Sequence, residues 1–327
     1  MRSLLLWAPA TALLIVLGIW IWLGLYVNAP GPGSGTATVL IPKGAGLRQI
    51  KTILGREGVI KDDLRFLILA RLTDSGGRLQ AGEFAIDRKL RPGEVLKILE
   101  QGEVVQHSLT IPEGLTTLQT ASIYARSGWV DRKQFLALCQ DPAFIRSLGL
   151  KVDQLEGYLF PDTYLLVRGK TDSRTIITSM VGRFLVVWQE VSAGQTTTMS
   201  RQEIVTLASI IEKETADPKE RPLIARVFLN RLQKSMRLQS DPTVIYGLND
   251  FSGNLTRKDL KQETPYNTYV IKGLPPGPIC NPGRAAIEAV FHPATSNALY
   301  FVSKNNGTHV FSASLTEHNR AVRRYQK

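Results

Sequence analysis

Between Arg2 and Lys43 the chain carries no charged side chain, and from Leu4 to Val27 it is apolar apart from Pro9, Thr11 and a few glycines. Such a run has few places to go. About 20 apolar residues cross the hydrocarbon core of a bilayer, whereas the apolar part of a cleaved signal peptide is about 7–15 residues long. The expectation is therefore a retained transmembrane helix over residues 4–27, preceded by a tail at residues 1–3. With Arg2 and the amino terminus as its only basic groups, that tail stays inside by the positive-inside rule, and the remaining 300 or so residues face outward. Val27-Asn28-Ala29 is a small-residue pattern that leaves cleavage open as an alternative.

Export narrows the meaning of the formal net charge of +12. Nucleic acid is not an expected partner, because an exported chain seldom meets it and the Lys and Arg residues are scattered rather than clustered. Acidic envelope polymers or lipid headgroups fit better, beside the plain reading of a solubilising surface. Cys139 and Cys280 are the only cysteines. Sequence cannot place their Cα atoms within the roughly 7 Å a disulfide requires, and they are read as buried thiols. The four histidines, His107, His292, His309 and His318, show no metal-ligand spacing, and no Gly-rich phosphate loop is present. No metal site and no cofactor are expected.

Residues 28–37, rich in Pro and Gly, read as a linker that holds the first domain off the membrane. A small module follows at residues 38–104, with a strand at Thr38–Ile41, a turn, two short helices, a second strand at Ala81–Ile86 and a helix opened by Pro92. Its pattern resembles a LysM-like carbohydrate-binding module. The opening Ile41-Pro-Lys-Gly44, with Gln49, Ile53 and Gly58, recurs about seventy residues later as Ile111-Pro-Glu-Gly114 with Gln119, Ile123 and Gly128. An old duplication and the common needs of a strand–turn–helix explain this equally well. The second copy begins a larger domain, residues 105–327, and the fold class expected for the whole is α+β.

Within the larger domain the best-marked element is a helix from about Arg201 to Thr215. Ser200 and Glu203 form a capping box, and apolar residues at 204, 205, 207, 208, 210 and 211 make a stripe of helical period with Thr206, Ser209 and Lys213 opposite. Glu212 and Glu214 flank the stripe, and either could be partly desolvated with a raised pKa. Periodicity does not choose between them. A serine hydrolase built on Ser209 lacks both a Gly-x-Ser-x-Gly turn and a nearby base.

Polar and aromatic phrases surround this helix in the sequence. Leu155-Glu-Gly-Tyr-Leu-Phe-Pro-Asp-Thr-Tyr164 offers Glu156, Tyr158 and Asp162, and Arg237–Gly247 offers Gln239, Asp241, Thr243 and Tyr246 around one proline. Glu263–Tyr269 adds Tyr266, Asn267 and Tyr269. Rings that pack on pyranose C–H groups beside carboxylates and amides suit an oligosaccharide groove, while core packing and turn formation are the plainer explanations. Gly273–Gly283 is too proline-rich for a helix or a central strand and reads as a rigid connection.

Together the phrases Glu156–Tyr164, Ala208-Ser-Ile-Ile-Glu-Lys-Glu-Thr215, Asn230-Arg-Leu232, Leu238–Gly247, Pro265–Tyr269, Gly273–Pro278, His292-Pro293 and Tyr300–Val302 resemble, in order, the endolytic murein transglycosylases of the MltG (YceG-like) type. Thr264 departs from the small residue expected before Pro265. The resemblance implies cleavage of nascent peptidoglycan glycan strands between N-acetylmuramic acid and N-acetylglucosamine, with Glu212 as the single catalytic acid/base and Glu214 as a supporting or surface group. It also implies 1,6-anhydro-muramyl ends, a role as terminase of strand elongation, and peptidoglycan synthases as neighbours. Glu156, Tyr158, Asp162, Asn230, Gln239, Asp241, Tyr246, Tyr266, Asn267 and Tyr269 are the expected substrate-binding residues. The implied location is the bacterial inner membrane, single-pass, with the catalytic domain on the periplasmic side. A non-catalytic, membrane-anchored peptidoglycan-binding protein is the alternative.

Overall fold

The architecture comes from a computed structural model that describes residues 2–215, 217–248 and 250–326, with side chains from Thr11 onward. Met1, at the head of the expected tail, lies outside the described residues. Helices and strands are mixed, and the chain divides into two compact units, Met1–Leu109 with Leu165–Thr171, and Thr110–Tyr164 with Asp172–Lys327.

The first unit opens with α1 (Arg2–Asn28). Among the described residues it holds the one segment long and apolar enough to cross a membrane, Thr11–Asn28, with a mean hydropathy of 1.9. There follow β1 (Thr36–Ile41), α2 (Leu47–Arg56), α3 (Arg65–Leu72), β2 (Gly82–Asp87), α4 (Pro92–Gln101) and β3 (His107–Thr110). β1 and β2 pair antiparallel from Thr36↔Asp87 to Ile41↔Gly82. The period of two along β1 turns Ala37, Val39 and Ile41 inward. They meet Phe84, Ile86, Leu54, Phe66, Val95 and Leu99 in one core, which Tyr26 of α1 also joins.

The Pro/Gly segment after α1 is not a free spacer. Gly31 N–H donates to Leu90 O at 3.2 Å, and Arg88 Nη1 donates to Ser34 O at 3.3 Å. At Gly31 the backbone lies against the carbonyls of Val59 and Arg88, with no room for a Cβ. Composition alone reads such a segment as flexible, whereas here the glycines serve close backbone approach.

The second unit contains α5 (Thr117–Arg126), α6 (Arg132–Leu138), α7 (Pro142–Ser147), α8 (Ser173–Ser192), α9 (Arg201–Glu214), α10 (Arg221–Gln233), α11 (Asp241–Gly247), α12 (Arg284–Phe291), β5 (Tyr300–Ser303), β6 (His309–Ser312) and α13 (Leu315–Tyr325), while β4 (Thr163–Leu166) begins in the second unit and ends in the first, as β3 begins in the first and ends in the second. β3 pairs with β4, and β5 with β6. Caps set many of the helix starts. Thr116, Asp131, Asp141, Asp172, Ser200 and Ser314 each accept a first-turn backbone N–H. The polar phrase after Gln239 is itself a short helix, with Ser240 at its cap position and proline in its first turn.

The seventy-residue echo is also conformational. α2 and α5 occupy equivalent positions at that offset. Gly44 and Gly114 adopt φ of 79° and 76°, and Gly58 and Gly128 adopt 69° and 71°. These left-handed turns are open to glycine at no steric cost.

α9 is the central helix, packed by α10, α11 and α12. Every residue from Ile204 to Ile211 is buried. This corrects the expected polar side, since Thr206 and Ser209 are 1 % and 0 % exposed. The Ser209 hydroxyl donates to Thr206 O at 2.7 Å and accepts Ile279 N–H at 3.0 Å, so a polar residue is buried without an unmet hydrogen bond. Those bonds also remove Ser209 as a nucleophile.

Glu156 acts as a second anchor. Its carboxylate accepts Thr117 N–H at 2.9 Å and Tyr246 O–H at 3.2 Å, joining the start of α5 to α11. Burial pushes its pKa up from 4.5 to about 7, against the lowering effect of those bonds. Because the folded-state value is raised, this group's contribution to stability is complete below about pH 4.5 and is lost as pH rises through about 7. The loss amounts to about 3 kcal/mol. Thermal unfolding between these limits should show a falling Tm, and Glu156→Gln should flatten its share of the fall. The next residue, Gly157, has φ 87°, and a Cβ there would come within 2.5 Å of Pro278. Gly157→Ala should cost about 2 kcal/mol or more in denaturant unfolding, through clash and backbone strain together.

Candidate active site

Glu212 and Glu214 stand in the last turn of α9, where the negative end of the helix favours a protonated carboxyl. They meet different surroundings. The Glu212 side chain is 5 % exposed. Its Oε1 accepts Arg221 Nη2 at 2.8 Å, and its Oε2 accepts Gly283 N–H at 3.0 Å. Arg221 also reaches Glu113 at 3.5 Å. Burial raises the Glu212 pKa, and the Glu113 charge adds to the rise, while the Gly283 bond and Arg221 oppose it. Arg221 Nε–H is buried with no protein partner among the described residues.

These groups line an open cleft of about 360 Å³ formed by Glu113, Gly114, Glu212, Lys213, Glu214, Thr215 and Arg221. Lys213 Nζ donates to Gly114 O at 3.3 Å, fixing the turn opposite the helix end. Such a cleft places a carboxyl of raised proton affinity beside a fixed cation, which is the equipment of a general acid/base.

Glu214 is not a surface group. Ser240 Oγ donates to it, and burial lifts its pKa from 4.5 to about 7, with the Asp241 charge adding to the rise. It also lines a neighbouring cavity of about 540 Å³, together with Arg231, Gln239, Asp241, Tyr269 and Tyr300. Tyr269 O–H donates to Asp241 at 2.6 Å, and Gln239 is held at φ 50° while its N–H bonds Thr268 O at 3.1 Å. Of the expected substrate-binding residues, therefore, Gln239, Asp241 and Tyr269 come together beside the α9 end.

The others lie elsewhere or are committed to structure. Glu156 and Tyr246 line a cavity of about 580 Å³, and Tyr266 lines one of about 330 Å³. The Tyr246 and Tyr266 rings meet edge to face at 4.8 Å. Tyr158 is 1 % exposed and packs edge-on against Phe184 at 4.9 Å, so its ring is part of the core and not a sugar platform. Asn267 is wholly buried, its amide donating to the carbonyls of Leu260 and Gln262. Asn230 donates to Ser296 O and Ala298 O at 3.1 and 2.9 Å, tying α10 to the approach to β5. Asp162 pairs with Arg183 at 2.7 Å on an exposed face. Structural hydrogen bonds and core packing claim Tyr158, Asn267 and Asn230, because a folded chain satisfies buried amides and aromatic area before it serves a ligand, while Asp162 is held in a surface ion pair. Thr264, the departure from the family phrase, lies against Gly247.

Three contributors were invisible to motif reading. Glu113 sits in a phrase read only as part of a strand–turn–helix, Arg221 opens α10 without belonging to any of the phrases singled out, and Gly283 ends a segment read as a connection. Asn281 ties together the backbone beside two of them, Glu113 and Gly283. Its Oδ1 accepts Gly157 and Leu159 N–H, both at 3.0 Å, and its Nδ2 donates to Leu115 O at 3.0 Å. Its backbone pairs with Leu115 O at 2.8 Å and with Gly114 N–H at 3.0 Å. The one available signal was an asparagine between Cys280 and Pro282 with no helix or strand to serve. Both cysteines are free and buried; burial pushes the Cys139 pKa up to about 12 and holds the Cys280 thiol well above its ordinary value.

Comparison with known proteins gives one consistent answer. Residues 39–324 match the YceG-like family. An endolytic murein transglycosylase of Bacillus subtilis is 34 % identical over 303 residues, which span 87 % of this chain and 83 % of that protein. One from Streptococcus pneumoniae serotype 2 is 32 % identical over 319 residues, spanning 86 % of this chain but 57 % of that longer protein. A crystal structure of a YceG-like protein from Listeria monocytogenes superposes with a TM-score of 0.59 at 34 % identity, covering 88 % of this chain and 100 % of that one. By its sequence match and by its fold, the chain belongs to the YceG-like family.

Proposed function

We propose that the chain is an endolytic lytic transglycosylase that cleaves nascent peptidoglycan glycan strands between N-acetylmuramic acid and N-acetylglucosamine, with Glu212 as its acid/base. The observation that carries this reading is the Glu212 carboxyl, buried at the floor of an open cleft and held by Arg221 and Gly283 N–H. The relatives named endolytic murein transglycosylase support the substrate. Glu212 protonates the leaving glycosidic oxygen. The muramyl 6-hydroxyl then attacks its own anomeric carbon, and the Glu212 carboxylate takes the hydroxyl proton. The product is a 1,6-anhydro ring, no water is consumed, and the proton borrowed in the first half is returned in the second.

Intramolecular attack is worth on the order of 7–11 kcal/mol in effective molarity, which is why this route does without the second carboxylate that a hydrolase needs. Gln239, Asp241 and Tyr269 extend the binding surface into the adjoining cavity. The β–α–α–β order of the small module supports a LysM-like role in holding glycan. α1 anchors the protein in the cytoplasmic membrane, with the catalytic domain on the outer side where the substrate lies. From there it acts as a terminase on strands still being polymerised by neighbouring synthases.

Incubation of the full chain with nascent glycan should release fragments whose mass shows anhydro-muramyl ends; ordinary reducing ends would identify a hydrolase instead. Glu212→Gln should lower the rate by about 10²–10⁴. Full activity in that variant, with loss in Glu214→Gln, transfers the role to Glu214. The acid form of Glu212 is needed first, so the rate falls as pH rises through its pKa. Glu113→Gln, which removes a negative charge near Glu212, should move that alkaline limb to lower pH, and Arg221→Met should move it to higher pH. Shifts in the same direction for both would break the assignment.

A further inference from the structure

α1 is covered along its final turns only. Leu23 and Tyr26 are 7 % and 3 % exposed, and α3 and α4 pack against the helix there. Residues 11–22 are uncovered. The length from residue 2 to residue 22, at 1.5 Å per residue, comes to about 31 Å. That equals the roughly 30 Å of hydrocarbon in a bilayer. The helix therefore has no spare length. If the helix up to Trp22 fills the hydrocarbon, the turn from Leu23 to Tyr26 lies at headgroup depth, together with whatever packs on it.

The beginning of α3 packs there. The Arg65 guanidinium lies 5.2 Å from the Trp22 ring and 4.6 Å from the Tyr26 ring, and Asp63 balances its charge at 2.7 Å. Tryptophan and tyrosine with an extended arginine are the side chains that settle at a membrane–water interface. Leu64, next to Arg65, is 66 % exposed, and at the same level of α1 Trp22 and Leu25 are 46 % and 69 % exposed. Beside Val27 and Asn28, a cavity of about 370 Å³ carries Arg78, Arg91 and Lys97 against Glu94 and Glu100, a small cationic excess facing the same region. The strap of Gly31 and Arg88 removes the slack that would let this unit swing away.

We propose that the first unit docks on the outer leaflet itself, with Leu64 and the start of α3 inserted beside Trp22 among lipid headgroups and the upper acyl chains. The partner is a phospholipid surface. The inference rests on α1 spanning the membrane, and the experiment separates the two. The full chain is reconstituted in vesicles of phosphatidylethanolamine and phosphatidylglycerol that carry a nitroxide at the headgroup end of the acyl chain. Its native thiols, 1 % and 0 % exposed, stay unlabelled, and a fluorophore is attached in turn at Trp20→Cys, Leu64→Cys or Lys43→Cys. Lys43 lies two residues past Ile41, the far end of β1, and β1 itself runs about 17 Å from Thr36, just after the strapped segment, to Ile41. Trp20→Cys and Leu64→Cys should lose most of their fluorescence to the nitroxide, and Lys43→Cys should keep it. Quenching at Trp20→Cys with Leu64→Cys as bright as Lys43→Cys overturns the docking and leaves the anchor. Bright fluorescence at all three overturns both.

Discussion

Five hydrogen bonds from one buried residue hold the site in shape. Asn281 uses its side-chain carbonyl on Gly157 and Leu159, its side-chain amide on Leu115, and its backbone on Leu115 and Gly114. An asparagine that is 1 % exposed must have its polar atoms met inside the protein. Meeting them brings three segments far apart in sequence to one point. Two residues beyond Asn281, Gly283 directs its N–H at Glu212, and one residue before Gly114, Glu113 faces Arg221. The electrostatic setting of Glu212 is therefore built on backbone that this amide fixes.

The second constraint is the burial of α9. A helix enclosed along eight consecutive residues has little freedom to shift, and its last turn delivers carboxylates to a fixed place. Two residues of separation turn the side chains about 200° apart on a helix. Glu212 consequently meets a guanidinium and a backbone N–H, whereas Glu214 meets a serine hydroxyl and the neighbouring cavity. Both are raised by burial, but of the two it is Glu212 that pairs directly with a guanidinium, Arg221, which also reaches Glu113, and this suits a group required to give up a proton and regain it in one turnover.

Much of the secondary structure was legible because its causes are local. The Ser200/Glu203 box, the alternation along β1, the uncharged run of α1 and the paired glycine turns at Gly44 and Gly114 each follow from neighbours within a few residues. The polar phrases were harder. Asn230, Tyr158 and Asn267 look as suited to sugar as Gln239 and Tyr269 do, since residue type does not reveal whether an amide faces a ligand or a backbone carbonyl.

The sequence by itself determined the helix that carries two glutamates, the apolar helix that opens the first unit and membership in a family whose phrases run in order along the chain. Tertiary structure alone decided which cation and which N–H face Glu212, which rings are core, and that the Pro/Gly segment is strapped down. The reason is the range of the forces involved. Caps and periodicity act within one or two turns of chain, while a carboxylate's proton affinity depends on burial and on charges such as Glu113, contributed from about a hundred residues away and near only once the chain has folded.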